Sequence, residues 1–534
     1  MATQPASLDL LQFDDSTSCK QWVTTLPLTN APAAQQSLTR QIVLATQAGL
    51  PAVEFLKILE ALREPAVHVQ REAAVKYAGK ALPLEKHEFA AWERTVFLWQ
   101  ELAHAYLACH DAGLRGEAGL KPYGALITLR GLQYTGRAML EYYRVHYQPP
   151  AALWRELHRL YTLSEQGNFA HTAVPDIFNR GEPNSSCTAV FCRALLTQLA
   201  NPFALTARQL DFVDRWLDGW APLVGLKTGP PPASTIPLLA VDLAGDSGAV
   251  AAQNPGPLPG GLRHLDLEQL GHVLRQLIAL LKQGQSPAQL GLGDARQPGC
   301  EGLLTLLYIQ WCRAGTGRGE QRTTTSTEKA QVCLGMPAVH FYIGGRAFRP
   351  PGRSLSRQEE QDLQLFGRVS ERTERMLASG ENMAVESWRL ANHSDAGFMC
   401  MLRDTDTRAR IGHHQLVAVR RGGGTPFQAG VVQWLRVDEN NDLFVGVRLF
   451  PGVARAVTVR PVNFKLPGAN GFERALLLPE LPLPVAPATL VLPSGWYQAG
   501  RFVDVLHGEQ KQVAKLEGLF EKGGDFDRCI VSLN

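Results

Sequence analysis

The chain has 534 residues, of which 45% are hydrophobic and 19% charged, a balance that excludes disorder for the bulk and is enough for several packed domains. Fifty-three Lys and Arg against 50 Asp and Glu leave a formal charge of +3, too little for a surface that binds nucleic acid all over, so any anion site must be local. Nine cysteines without a C-x-x-C pair suggest neither a disulfide framework nor a zinc ribbon and fit a reducing cytoplasm.

The first residues, MATQPASLDLLQFDDS, lack the basic and apolar regions of a signal peptide, and no apolar run reaches the ~18 residues of a membrane span. From about Gln35 to Gly225 apolar residues recur at three and four spacings, as in Phe89, Trp92, Val96, Phe97, Trp99, Leu102, Tyr106 and Leu107, which predicts amphipathic helices. Two segments, Trp99-x2-Leu102-x3-Tyr106 and Trp154-x2-Leu157-x3-Tyr161, weakly resemble the first helix of a tetratricopeptide repeat. Proline- and glycine-rich breaks at 229–234 and 254–261 bracket one short strand, Ile236 to Leu243, and helices follow over 265–282 and 302–313. The sequence thus predicts a helical scaffold over 1–228 and a linker with helical connector over 229–328.

From Lys329 onward the chain reads as strands: Ala338 to Ile343, Ala384 to Ala391, Gln415 to Arg421, Gly430 to Val437, Leu443 to Phe450 and Ala456 to Val462. Many short strands bounded by turns, such as Glu439-Asn-Asn-Asp442, argue for an antiparallel barrel over 329–465. After a proline-rich run from Leu478 to Pro487 more strands follow, with a hairpin around Gly523-Gly524, in an extension over 466–534 that adds to the barrel or makes a second one. The fold class is therefore α+β and multidomain. The barrel segment is also the basic one: from Arg346 to Lys465, 17 Arg and one Lys face 13 Asp and Glu. Arginine binds phosphate or guanine through two parallel hydrogen bonds and stacks on bases, as lysine cannot.

Within that segment Arg368-Val-Ser-Glu-Arg372 sets two guanidiniums on one face, and 19 residues later comes Asn392-His-Ser394-Asp-Ala-Gly397. This ordered pair resembles the signature of the PilZ family of cyclic di-GMP receptors, R-x-x-x-R followed by (D/N)-x-S-x-x-G, and the strands around Gly430 to Arg436 and Val445 to Leu449 resemble that family's late strands. The resemblance covers about 346–465 and implies a PilZ-like barrel. It implies that Arg368 and Arg372 bind guanine or phosphate from a flexible segment, that Asn392 bonds a base, that Ser394 contacts phosphate or base, and that Gly397 lets the backbone turn beside the ligand. Arg375 and Arg389 are additional cations, and Arg353-Ser-Leu-Ser-Arg357 is a second R-x-x-x-R, so which pair is used stays open. His393 is expected on the opposite side of the strand from Asn392.

No H-E-x-x-H, P-loop or G-x-S-x-G occurs, and the histidines and cysteines lack metal-site spacing, so neither an enzyme nor a metal site is expected. The expectation is a cytoplasmic receptor whose one ligand is cyclic di-GMP, with a protein partner on the helical region and an output in motility, attachment or biofilm control. Two rivals are a scaffold whose barrel no longer binds nucleotide, and a barrel that binds single-stranded nucleic acid, for which Trp388, Phe427 and Trp434 are few stacking candidates.

Overall fold

A computed structural model describes the chain except for residues 1–9, 118, 179–183, 229–237, 253–260, 314–322, 325–327, 353, 379–382, 395–396, 404–408, 423–424, 463–470, 483–484, 509 and 534. It forms two compact units, 1–80 with 84–319, and 81–83 with 320–534. Among the described residues no helix is long and apolar enough to cross a membrane, and the nine cysteines are free thiols.

In the first unit the predicted helices form, the longest being Ala52–Ala74, Lys86–Leu114 and Gly124–Arg144. The two aromatic spacings are core features. Trp99 and Tyr106 both stack on Tyr134 of the next helix, and Tyr161 of helix Ala151–Gln166 stacks on Phe191 of helix Cys187–Leu199 at 4.4 Å. Phe89 and Phe97, which share the predicted apolar pattern, stand exposed.

The stretch expected to be a connector is instead part of this unit. The predicted strand, at Leu238–Asp242, is one of four in an antiparallel sheet with Gly225–Lys227, Leu262–Asp266 and Val250–Ala252. Helices Glu268–Lys282 and Gly299–Cys312 bury Leu270, Leu274, Leu304 and Leu307 in the same core as the earlier helices, and Trp311 donates its indole N–H to the Leu196 carbonyl at 3.0 Å.

The second unit holds two six-stranded antiparallel barrels. In the first, strand Lys329–Leu334 pairs Val385–His393, which pairs Phe398–Leu402, then Leu443–Leu449, Gln428–Val437 and Leu416–Arg421, which returns to Lys329–Leu334. The second closes through Arg455–Pro461, Glu473–Leu478, Thr489–Pro493, Phe526–Leu533, Gln510–Lys522 and Phe502–His507. Strand Arg455–Pro461, assigned from sequence to the first barrel, belongs to the second, so the barrels divide near residue 454 and not at 465. Residues 81–83 join this unit from far upstream, Leu82 and Ile411 exchanging backbone hydrogen bonds of 2.8 and 2.7 Å.

The stretch read as strand over 338–343 is a helix, Gly335–Gly344. Its Val339, Phe341 and Ile343 favour strand, but a helix apolar on nearly every side suits a site enclosed on all of them. It packs in one hydrophobic cluster with Leu416, Ala418, Phe427 and Val431 of the first barrel and Leu476, Val491 and Phe526 of the second. Two further helices, Arg357–Phe366 and Glu371–Ala378, occupy ground expected to be strand or loop.

The hairpin turn of the second barrel also bonds the first. Asp525 accepts the Leu416 backbone N–H at 2.8 Å, and Gly524 N–H donates to the His414 carbonyl. Burial raises the Asp525 carboxyl from its ordinary 3.8 to about 6, against the lowering effect of the Leu416 bond. The folded chain therefore holds this proton more tightly than the unfolded chain, and the resulting stabilisation is present below pH 4 and lost as pH rises through 6. Thermal melts between pH 4 and pH 7 are expected to show this decline in the wild type and a flatter profile in Asp525→Asn, which keeps an acceptor for Leu416 without the titration.

Candidate functional site

Strand Val385–His393 carries the second half of the motif. Trp388 and Leu390 point into the first barrel with Met401, Val445 and Leu435, all at most 1% exposed. Between Leu390 and Asn392 the register against strand Phe398–Leu402 slips: Leu390 opposes Met401, whereas Asn392 opposes Cys400. The extra residue, Ala391, is a β-bulge, a device that re-aims a side chain. Without it Asn392 would oppose Met399 and face the barrel interior. With it, Asn392 lies on the outer face and His393 on the inner one, with its Nδ1 buried and lacking a hydrogen-bond partner.

Residues opposite one another in a sheet share a face, so the register reads out two rows on the barrel exterior. One runs Lys329, Arg389, Leu402, Phe444, Arg436, and the other Asn392, Cys400, Gly446, Trp434. The rows wrap around the barrel: Arg389 and Arg436 stand on strands three steps apart in the ring of six, and so face opposite sides, whereas Lys329 and Arg389 are on adjacent strands. Lys329 and Arg389 are exposed and directly opposed, with no hydrogen bond or ion pair to either side chain among the described residues. Like charges in this position repel unless an anion lies between them. Ser394, just past the strand, is buried, and its carbonyl accepts Gly397 N–H at 3.1 Å. Gly397 has φ +83°, and a Cβ there would lie 3.3 Å from Leu449 Cβ, so the tight return of this turn requires glycine.

The arginine half sits on a helical flap. Ser356 caps helix Arg357–Phe366, and Asp362 accepts both the backbone N–H and the hydroxyl of Ser370, fixing the turn before helix Glu371–Ala378. Arg349 clamps both helices, its Nε on Glu359 and its Nη2 on Glu374, each at 2.7 Å. Burial alone would raise the Glu359 carboxyl, but hydrogen bonds from Ser356 and Arg349 outweigh it and hold the group at about 2. Leu377 rests near Phe341, Ala347 and Met383, and so anchors the flap beside the start of the motif strand, whereas Asn392 lies at that strand's far end.

Arg368, in the turn, and Arg372, in the second helix, are exposed and carry no hydrogen bond or ion pair among the described residues; no such bond joins them to Asn392 or Ser394. Arg357, at the start of the first flap helix, is likewise exposed and unpaired. Arg353 and the side chain of Arg375 lie outside the described residues. The flap carries two short helices, where the resemblance implies a flexible segment. Sequence reasoning also missed Lys329, Arg436, Phe444 and the placement of Trp434. The strand alternation held the signal, but only the register brings these residues into rows with Arg389 and Asn392.

The chain is similar to described proteins at both ends. Residues 17–232 match the family described as the N-terminal domain of the cyclic-di-GMP receptor FimW, and residues 457–532 match the FimW C-terminal beta-barrel domain. The motif residues 368–397 lie between these two matches. No solved structure matches the chain. The cyclic-di-GMP receptor FimW of Pseudomonas aeruginosa is 23% identical to it over 94% of this chain and 88% of the relative. These are domains of a receptor, a binding protein and not an enzyme.

Proposed function

We propose that this chain is a receptor that binds cyclic di-GMP on the outer face of the first barrel. The observation that carries the reading is the opposed, unpaired cation pair Lys329–Arg389 one row from the bulge-exposed Asn392. A ligand with two ionised phosphates relieves that repulsion, and its guanine edges offer the acceptors that arginine forks and an asparagine amide recognise. The FimW likeness of the flanking segments supports the same ligand.

In this reading the PilZ-like residues act as their resemblance implies. Arg368 and Arg372 have no partner to release, so the flap can swing its guanidiniums onto the bound nucleotide, with Arg357 as a neighbouring cation. Ser394 and Gly397 shape the turn against the phosphate. Flap closure changes the surface that the barrel presents to a protein partner, in the cytoplasm, with an output in motility, attachment or biofilm control.

Isothermal titration of cyclic di-GMP into the full chain is expected to give saturable heat. No heat would leave a barrel that serves protein contacts alone.

A further inference from the structure

Resting on that reading, we infer that Phe366, at the tip of the flap, stacks on a guanine of bound cyclic di-GMP and so covers the face of a base while Arg368 and Arg372 take its edge or a phosphate. The first observation is exposure. Phe366 stands 65% exposed at the end of helix Arg357–Phe366, and its ring meets no other ring and no cation among the described residues. A phenylalanine left in water forgoes most of the about 1.5–3 kcal/mol that burial would contribute. A flat apolar ring beside unpaired guanidiniums suits a purine nucleotide, because every base has a π-face to cover as well as an edge to bond.

The second observation is the corner that carries the ring. The helix ends on Gly367, at φ +66°, whose N–H donates to the Leu363 carbonyl at 3.0 Å, the left-handed glycine stop that turns a chain sharply out of a helix. Asp362 then holds Ser370 from the other side, through the backbone N–H at 2.9 Å and the hydroxyl at 2.7 Å. Phe366 and Arg368 flank that one glycine, and Arg372 follows in the first turn of the next helix. A single fixed corner therefore supplies an apolar plane for the face of a base and guanidinium forks for its edge or for phosphate.

The third observation is placement. Leu377 and Met383 tie the flap to the start of strand Val385–His393. On that strand Val385, Ser387 and Arg389 alternate with the buried Glu386, Trp388 and Leu390, so they share the outer face, and Lys329 stands opposite Arg389 on the adjacent strand. Arg389 lies four residues from Val385, about 13 Å along the strand. The flap and the opposed cation pair are thus on one side of the barrel, and a dinucleotide held by Lys329 and Arg389 lies on the side from which Phe366 approaches.

The test titrates the full chain and its variants with cyclic di-GMP beside a thermal melt of each. Phe366→Ala is expected to weaken binding by about 5- to 150-fold, the range of one lost base stack, with an unchanged melt because the ring is exposed. Phe366→Leu keeps apolar bulk without a flat face and should lose nearly as much. Leu365→Ala, at a neighbour 75% exposed, should bind as the wild type does. Phe366→Trp should keep the affinity, and its added indole should lose fluorescence as ligand saturates, beyond any change in the wild type. Wild-type affinity in Phe366→Ala or in Phe366→Leu, alongside loss of binding in Asn392→Ala, would overturn the stack and leave the receptor reading intact, with the exposed ring then facing a protein partner. Absence of binding by the wild type overturns both.

Discussion

Replacing Arg368 and Arg372 together by alanine is expected to weaken cyclic di-GMP binding by about 150- to 20,000-fold while leaving thermal stability unchanged. Each charge-assisted bond to a phosphate or guanine contributes about 1.5–3 kcal/mol, and two of them give that range. Stability should hold because neither side chain has a hydrogen bond or ion pair to lose in the unliganded protein, and exposed substitutions of this kind stay within about 0.5 kcal/mol. Arg368→Lys/Arg372→Lys separates charge from geometry: lysine keeps the attraction but not the bidentate fork, so affinity should return only in part. Calorimetric titration beside a thermal melt of each variant checks both halves. Wild-type affinity in the alanine pair would remove the flap from the site and leave the ligand to the barrel face.

Glu386→Ala is expected to destabilise the first barrel by about 3–5 kcal/mol. Glu386 and Arg403, 7% and 3% exposed, form a two-pronged pair inside the barrel, with Arg403 Nε and Nη2 donating at 2.8 and 2.6 Å and the Trp388 indole N–H donating to the same carboxylate at 2.7 Å. Removing the carboxylate leaves a buried guanidinium uncompensated, which costs far more than the pair itself contributes. Replacing both residues by apolar ones of similar volume, Glu386→Leu with Arg403→Met, should recover most of the loss. Denaturant unfolding of the single and double variants measures the difference. A single variant within 1 kcal/mol of wild type would mean that water reaches the pair.

Alternation made four strands of the first barrel legible in the sequence, near 385–391, 416–421, 430–437 and 443–449, because each packs one face against a core and shows the other to solvent or to a covering element. The helix at 335–344 was not legible. Its β-branched and aromatic residues suit either a buried strand or a helix enclosed on every side, and only the tertiary setting decides. The flap helices did carry a signal, the Ser356-x-x-Glu359 capping box, which the expectation of an all-strand region obscured. The motif residues were legible through their resemblance to a known signature. The residues that share a face with Asn392 were not, because the bulge at Ala391 reverses the parity that spacing alone assigns. Lys329 fell outside the basic window and becomes relevant only through its pairing with Arg389.

The two barrels have little freedom to hinge. Their outer walls share one apolar cluster with the helix at 335–344, and Arg448, whose strand also supplies Phe444 and Gly446 to the outer face, forms an ion pair with Glu521 of the second barrel. Swinging one barrel against the other would open that apolar seam to water, so the pair behaves as a single stiff block. A nucleotide docked on the first barrel then cannot signal by levering the second. If the proposed closure of the short helices at 357–378 carries the response, the Arg349 latch on Glu359 and Glu374 is the contact that sets how readily they move.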